Sequence, residues 1–186
     1  MHKRIYAFLE KYDLLYSLQF GFRSKFSTSH ALIHMTEAIR SALDSGNVTC
    51  GIFVDFAKAF DTVNHEILLK KLDNFGFRGV VNDWFRSYLT DRKQKVVING
   101  FESKSKIMYH GVPQGSVLGP ILFLLYINDL HRCIKYCKTY HFADDTNLLN
   151  ISKDYRSLQR KVNYDLFSLH KWLIANKISL NEGKEV

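Results

Sequence analysis

Little in this chain restricts or cross-links it. Among 186 residues there are three cysteines and two prolines. An odd cysteine count without framework spacing excludes a disulfide-stapled scaffold and points to reduced thiols, the usual state inside cells. No apolar run is long. The longest, residues 121–127, falls far short of the ~20 residues a membrane span needs. Met1-His2-Lys3-Arg4 leads into a mixed, charged, helix-like stretch and not into a signal-peptide core. These absences predict an intracellular protein, nuclear or cytoplasmic, with no membrane partner. Repeats and low-complexity linkers are also missing, so the chain reads as one domain with a sizeable core. Acidic residues are the scarcer charge, 18 against 26 Lys and Arg, which leaves a net charge of +8. That balance suits an anionic partner, with a merely solvated basic surface as the alternative.

The residues present fall into clear periods. Ala31, Leu32, Met35, Ala38, Ile39, Ala42 and Leu43 repeat at helical spacing, predicting a helix over residues 27–43. Residues 49–55 read as a buried strand. Val63, Ile67, Leu68 and Leu72 mark a second helix, and Val81, Trp84, Phe85, Tyr88 and Leu89 a third. Residues 95–98, Asn99-Gly100 and residues 105–109 form an alternating, turn-linked hairpin. Both prolines and three of the ten glycines lie in residues 111–120, a tightly shaped loop. A helix follows to near Cys133. A second hairpin carries Asp144-Asp145 at its tip. A long amphipathic helix spans residues 154–175, ahead of a short strand at 178–180. This order predicts an α+β fold, an antiparallel sheet of the split βαβ kind backed by helices on one face.

Two acidic sites dominate the chemistry. Asp55 closes the apolar run Cys50-Gly51-Ile52-Phe53-Val54, and Asp144-Asp145 interrupts a second apolar stretch. Carboxylates at the ends of apolar strands are costly to desolvate unless a cation lies between them. Hard divalent ions suit such oxygen ligands, and Mg²⁺ commonly takes one or two carboxylates plus substrate phosphates. A pair of such ions can clamp the attacking and leaving oxygens of a phosphoryl displacement. Alone, Asp-Asp also reads as an ordinary surface turn, and residues 111–120 as a structural turn with Pro120 in the first turn of a helix. His131, Cys133, Cys137 and His141 could be drawn as a zinc site, but their spacing fits no common zinc pattern.

Taken in order, these blocks resemble a known family. Val54-Asp55-Phe56-Ala57-Lys58-Ala59-Phe60-Asp61-Thr62-Val63-Asn64-His65 is similar to the first catalytic motif of reverse transcriptases from non-LTR (LINE-type) retrotransposons. Gly111-Val112-Pro113-Gln114-Gly115-Ser116-Val117-Leu118-Gly119-Pro120, continuing to Leu130, resembles their second motif. Phe142-Ala143-Asp144-Asp145 resembles the third, with Phe142 where many relatives have tyrosine. Gln19-Phe20-Gly21-Phe22-Arg23 is similar to a fingers–palm segment. Trp172, Asn176-Lys177-Ile178-Ser179-Leu180-Asn181 and Lys184 are similar to the fourth palm motif.

The resemblance implies a polymerase palm that adds deoxynucleotides to a DNA primer on an RNA template. Asp55, Asp144 and Asp145 would serve two Mg²⁺ ions, or Mn²⁺, joined by the backbone carbonyl of Phe56. Phe60 would be the steric gate against a ribose 2′-hydroxyl, with plain core packing as its other reading. Gln114, Gly115 and Ala143 would line the incoming dNTP, and Lys184 would act as an acid toward pyrophosphate, although Glu185 departs from the family's usual threonine. Residues 1–48 would be a fingers remnant and the fingers-to-palm helix, and residues 49–186 the palm. The triphosphate-holding fingers hairpin and the thumb are expected to be absent, so weak or no synthesis by this chain alone is the expectation. A catalytically silent nucleic-acid-binding remnant is the alternative. An RNA-dependent RNA polymerase palm would share the acidic centre, but Phe60 argues against it. Oligomeric state is left open.

Overall fold

A computed structural model describes residues 1–181 of the chain. Its centre is a three-stranded antiparallel sheet in the order β1-β7-β6, from β1 (Val48–Val54), β6 (Lys138–Phe142) and β7 (Asp145–Ser152). Val48 pairs with Ser152 and Val54 with Thr146, while Phe142 pairs with Asp145. Ala143 and Asp144 therefore make a two-residue turn between β6 and β7. Residues 18–20 run parallel to the outer edge of β6, where the Phe20 N–H donates to the His141 carbonyl at 2.8 Å and the His141 N–H to that of Leu18 at 2.9 Å. This covers an edge that would otherwise present unpaired backbone groups.

Strand alternation divides the sheet's two faces. On one, Val54 and Leu148 join the main core with Val162, Leu169 and Leu173 of α6 (Tyr155–Ala175). On the other, Leu149 and Tyr140 pack with Phe20 and with Ala31, Met35, Ala38 and Ile39 of α2 (Thr28–Asp44). The sheet thus has the expected helical backing and, in addition, a helix over part of its second face. That second cover stops short of β1's end. Phe53 remains 75% exposed, and only Val54 of the strand is buried. A continuous apolar run predicted burial on both faces, whereas α2 packs on β1 near Gly51, where a Cβ would lie 3.8 Å from the Met35 methyl, and leaves Phe53 exposed.

Helix α5 (Gly119–Ile127) is apolar all round and buried from Ile121 to Ile127, as such a helix must be. α3 (His65–Asn74) packs on it and α4 (Val80–Leu89) on α3. The predicted helix to Cys133 is instead two pieces, α5 and a 3₁₀ turn over Leu130–Cys133. Between them, Asn128 turns its side chain to the Leu14 carbonyl and the Tyr16 N–H, both at 2.8 Å. The predicted first hairpin is there, but in fragments. β2 (Lys93–Gln94) pairs with β5 (Lys106–Ile107), and β3 (Val97–Ile98) with β4 (Phe101–Glu102), around Asn99-Gly100 at φ 49° and 82°. Every residue of these strands is exposed, so no packed face extends the ladder. The predicted strand at 178–180 is reduced to one antiparallel bridge between Phe56 and Leu180.

Candidate active site

One step beyond the pair Val54–Thr146, the β1–β7 register brings Asp55 level with Asp145. Strand alternation carried one residue further puts both side chains on the same face of the sheet. Both border a cavity of about 540 Å³ that also touches Phe53, Phe142, Asn147 and, from α2, Leu32. Asp144 sits in the turn and is not part of that lining. Asp55 and Asp145 thus lie together on the cavity, with Asp144 next to them in the turn. Among the described residues, no three Asp, Glu, His or Cys side chains converge as a metal-binding group. Two hard oxygen donors side by side at a strand end nevertheless fit Mg²⁺, which takes its other ligands from water and phosphate.

Asp55 is fixed from a second direction. Its Oδ2 accepts a hydrogen bond from Asn181 Nδ2, and its carbonyl one from the Asn181 N–H, both at 3.0 Å. The bonds from Asn181 to Asp55 and from the Ala57 N–H to the Ser179 carbonyl flank the Phe56–Leu180 bridge. In an antiparallel pair of this kind the carbonyl of Phe56 itself is directed away from the 179–181 segment. The Phe56 side chain is buried in the core.

The loop at 111–120 lies on the turn that follows Asp55. The Gly111 N–H donates to the Val63 carbonyl at 2.8 Å and the Val112 N–H to that of Phe60 at 2.9 Å. Gly111 has a φ of 88°, strained for a side chain, and a Cβ there would be crowded at 3.0 Å from the Asp61 carbonyl oxygen. This docking brings Gln114 Nε2 to 3.1 Å from Asp61 Oδ1. Gly115, at φ 78°, has open space where a Cβ would lie. Phe60 is half-buried, stacked on Phe123 at a centroid distance of 4.5 Å and met edge-on by Phe22 at 6.0 Å. A cavity of about 370 Å³ at the loop is bordered by Asp61, Gln114, His110, Arg92 and Lys93.

Sequence reasoning missed the support beneath the acidic hairpin. Gln19, 3% exposed, accepts at Oε1 from the N–H groups of Gly21 (2.8 Å) and Ala143 (3.2 Å), and its Nε2 donates to the Ala143 carbonyl at 3.4 Å. A Cβ on Gly21 would lie 2.0 Å from the Ala143 nitrogen. The available signal was a glutamine and a glycine two residues apart in an otherwise aromatic and basic segment. Asn181 was likewise noted only as part of a motif. Lys184 lies outside the described residues.

The four residues drawn as a zinc alternative are engaged otherwise. The Tyr16 ring stacks on His131 at 4.1 Å and meets His141 edge-on at 5.6 Å. His141 Nδ1 is 2.9 Å from Thr146 Oγ1, and burial, with the like charge of His131 secondary, pushes its pKa down to about 3. The Cys133 thiol donates to the Leu130 carbonyl. Burial raises the Cys133 pKa to about 11, and burial together with the neighbouring Asp165 raises that of Cys137 to about 12.

The family model described as "Reverse transcriptase (RNA-dependent DNA polymerase)" matches residues 1–186. A probable RNA-directed DNA polymerase from transposon BS of Drosophila melanogaster is 38% identical over 134 residues, which are 70% of this chain and 14% of that protein. The RNA-directed DNA polymerase from mobile element jockey of the same organism is 29% identical over 173 residues, 89% of this chain and 19% of that one. This chain therefore spans less than a fifth of either relative's length. Among solved structures, telomerase from Candida albicans in complex with a fragment of telomeric RNA superposes with a TM-score of 0.72 at 17% identity, covering 100% of this chain and 34% of that one. Apo telomerase from Candida tropicalis gives 0.71 at 15% identity, covering 100% and 35%. These structural likenesses show a shared polymerase palm fold.

Proposed function

Because this chain belongs to the reverse transcriptase family, we propose that its acidic strand ends and the 111–120 loop form the nucleotide-addition centre of an RNA-directed DNA polymerase of non-LTR retrotransposon type. One observation supports the reading: Asp55 and Asp145 follow directly on the last β1–β7 pair, Val54–Thr146, and border one cavity. The family generally uses divalent metal ions. Asp55 and Asp145 would hold Mg²⁺ or Mn²⁺, with Asp144 beside them in the turn and the Phe56 carbonyl as a further oxygen donor. When bound, the metal neutralises charge that develops on the transferring phosphoryl group.

The chain's own residues align and exclude. The Phe60 ring, backed by Phe123, is the surface against which a ribose 2′-hydroxyl would clash while a deoxyribose fits. Gln114 offers amide hydrogen bonds to the incoming nucleotide, and the open backbone at Gly115 permits close approach. Ala143 forms the floor of the turn. Asn181 holds the Asp55 carboxylate in one orientation, so the reacting groups meet a site already arranged. Within this reading residues 1–48 supply part of the fingers and residues 49–186 the palm, an RNA template and a DNA primer are the partners, and Lys184 is the candidate acid toward pyrophosphate.

The test is single-nucleotide addition to a DNA primer annealed to RNA, with purified chain, dNTP and Mg²⁺. Incorporation that requires the metal and is lost in both Asp55→Asn and Asp145→Asn is the expected result. Binding of the primer–template without incorporation, unchanged by either substitution, would overturn the catalytic reading and leave a nucleic-acid-binding domain.

A further inference from the structure

Ala143 is the first central residue of a two-residue hairpin turn, and its φ is +58°. Positive φ at the first central position alone has the sign pattern of a type II′ turn, a position that favours glycine. An alanine there is strained, and such strain persists only where the surroundings over-determine the conformation. Here Gln19 supplies the determination. Its buried amide accepts from the Ala143 N–H and donates to the Ala143 carbonyl, so it holds the two peptide units on either side of the Ala143 Cα. The Gly21 N–H bonds the same Oε1 and aligns it. The missing side chain of Gly21 lets this segment approach the turn to a distance no other residue would allow. The grip adjoins the parallel bridge between Gln19 and His141, so residues 18–21 form a bracket around the end of β6.

We propose that Gln19 is a positioning residue for the acidic hairpin: by clamping the Ala143 peptide it fixes the direction in which Asp144 and Asp145 leave the turn, and so the metal affinity of the site. The proposal rests on the functional reading above. Outer partners that orient metal ligands commonly change affinity by about tenfold or more when removed. The clamp also gives a reason for the uncommon backbone at Ala143: the glutamine makes a glycine unnecessary and leaves the turn stiffer than a glycine would.

The variant that tests this is Gln19→Met, which keeps the side chain's length and apolar volume but removes all three hydrogen bonds. Two quantities are read in wild type and variant: hydrogen exchange at the Ala143 amide by NMR, and Mn²⁺ affinity from the free-ion EPR signal. In wild type the Ala143 amide should exchange as slowly as the His141 amide beside it. In Gln19→Met it should exchange about tenfold faster, and Mn²⁺ should bind about tenfold more weakly, while the amides of β1 keep their rates. Wild-type exchange and wild-type affinity in Gln19→Met would overturn the proposal. Faster exchange with unaltered affinity would also overturn it, by reducing the clamp to a structural contact. If Gln19→Met does not fold, the wild-type measurement still decides: an Ala143 amide exchanging at free-peptide rate overturns the clamp. A wild-type chain that binds no Mn²⁺ overturns the parent reading, and that outcome is distinct from failure of the clamp at the Ala143 amide.

Discussion

Gly21 and Phe60 are the single residues on which most is staked. A methyl at position 21 would overlap the Ala143 peptide, and the obstacle is backbone on a paired strand end, which cannot swing aside. Gly21→Ala must therefore push residues 19–21 off β6 or distort the turn. A loss on the order of 2–4 kcal/mol is expected, read as a lower urea midpoint with an unchanged slope; a change within ~0.5 kcal/mol, the range of ordinary surface substitutions, would mean the contact relaxes freely. Phe60 raises a different question, since core packing and sugar discrimination both suit a ring half-buried on Phe123. Phe60→Val separates them. As a gate, its loss should lower the preference for deoxynucleotide over ribonucleotide on the order of a hundredfold, the scale at which a pocket senses one hydroxyl. If stability falls and the preference stays, Phe60 is a core residue only.

At the scale of elements, the sheet carries a pH dependence that its sequence conceals. His141 lies inside β6, enclosed by Tyr16, Thr146 and the 18–20 segment, with His131 across the Tyr16 ring. Its folded pKa is about 3, against 6.5 in the unfolded chain. Below pH 6.5 the unfolded chain binds a proton that the folded chain refuses, so stability is complete above that value and falls as pH drops, by about 1.4 kcal/mol per unit until pH nears 3. His131, whose pKa burial also lowers, adds loss of the same sign. Urea midpoints at pH 7, 5 and 4 should show the decline, and His141→Gln should flatten it; equal slopes in both proteins would refute the assignment. Much at this scale was legible beforehand. Helical periods located α2, α3, α4 and α6, because each buries one face. Asn99-Gly100 announced its turn, because a I′ turn needs two residues tolerant of positive φ. What could not be read depends on tertiary reach. Phe53 looked buried because its neighbours are apolar, and α2 stops short of it. That Asp145 borders the cavity with Asp55 while Asp144 sits in the turn depends on which strand residues pair, and that register is not written in the sequence. Gln19 was silent because a side chain gripping a distant peptide leaves no period in the sequence.

For the molecule as a whole, the net charge of +8 has to be spread somewhere, and the exposed hairpin between α4 and the 111–120 loop concentrates part of it. Lys93, Lys104 and Lys106 are exposed on this segment, as are Phe101 and Tyr109, at 82% and 72%. Lys95 is partly answered by Glu102 at 2.7 Å. The hairpin's base borders the same cavity as Gln114, so a nucleic acid strand held on it would lead directly to the loop. Exposed aromatics offer base stacking and the lysines phosphate contact, a pairing typical of surfaces that bind single strands without sequence preference. A protein neutralising phosphates releases counterions, and for single strands the logarithm of the binding constant falls with the logarithm of salt at a slope of about −0.7 per contact. Replacing Lys93, Lys104 and Lys106 together by alanine should therefore make the slope for single-stranded RNA shallower by about 2. The three side chains are exposed, so the urea midpoint should not move. An unchanged slope would place the nucleic acid elsewhere and make the hairpin's charge a solvated surface. A shallower slope with intact Mn²⁺ affinity would separate strand binding on the hairpin from metal binding at Asp55 and Asp145, the division of labour expected of a surface that delivers a template and a centre that reads it.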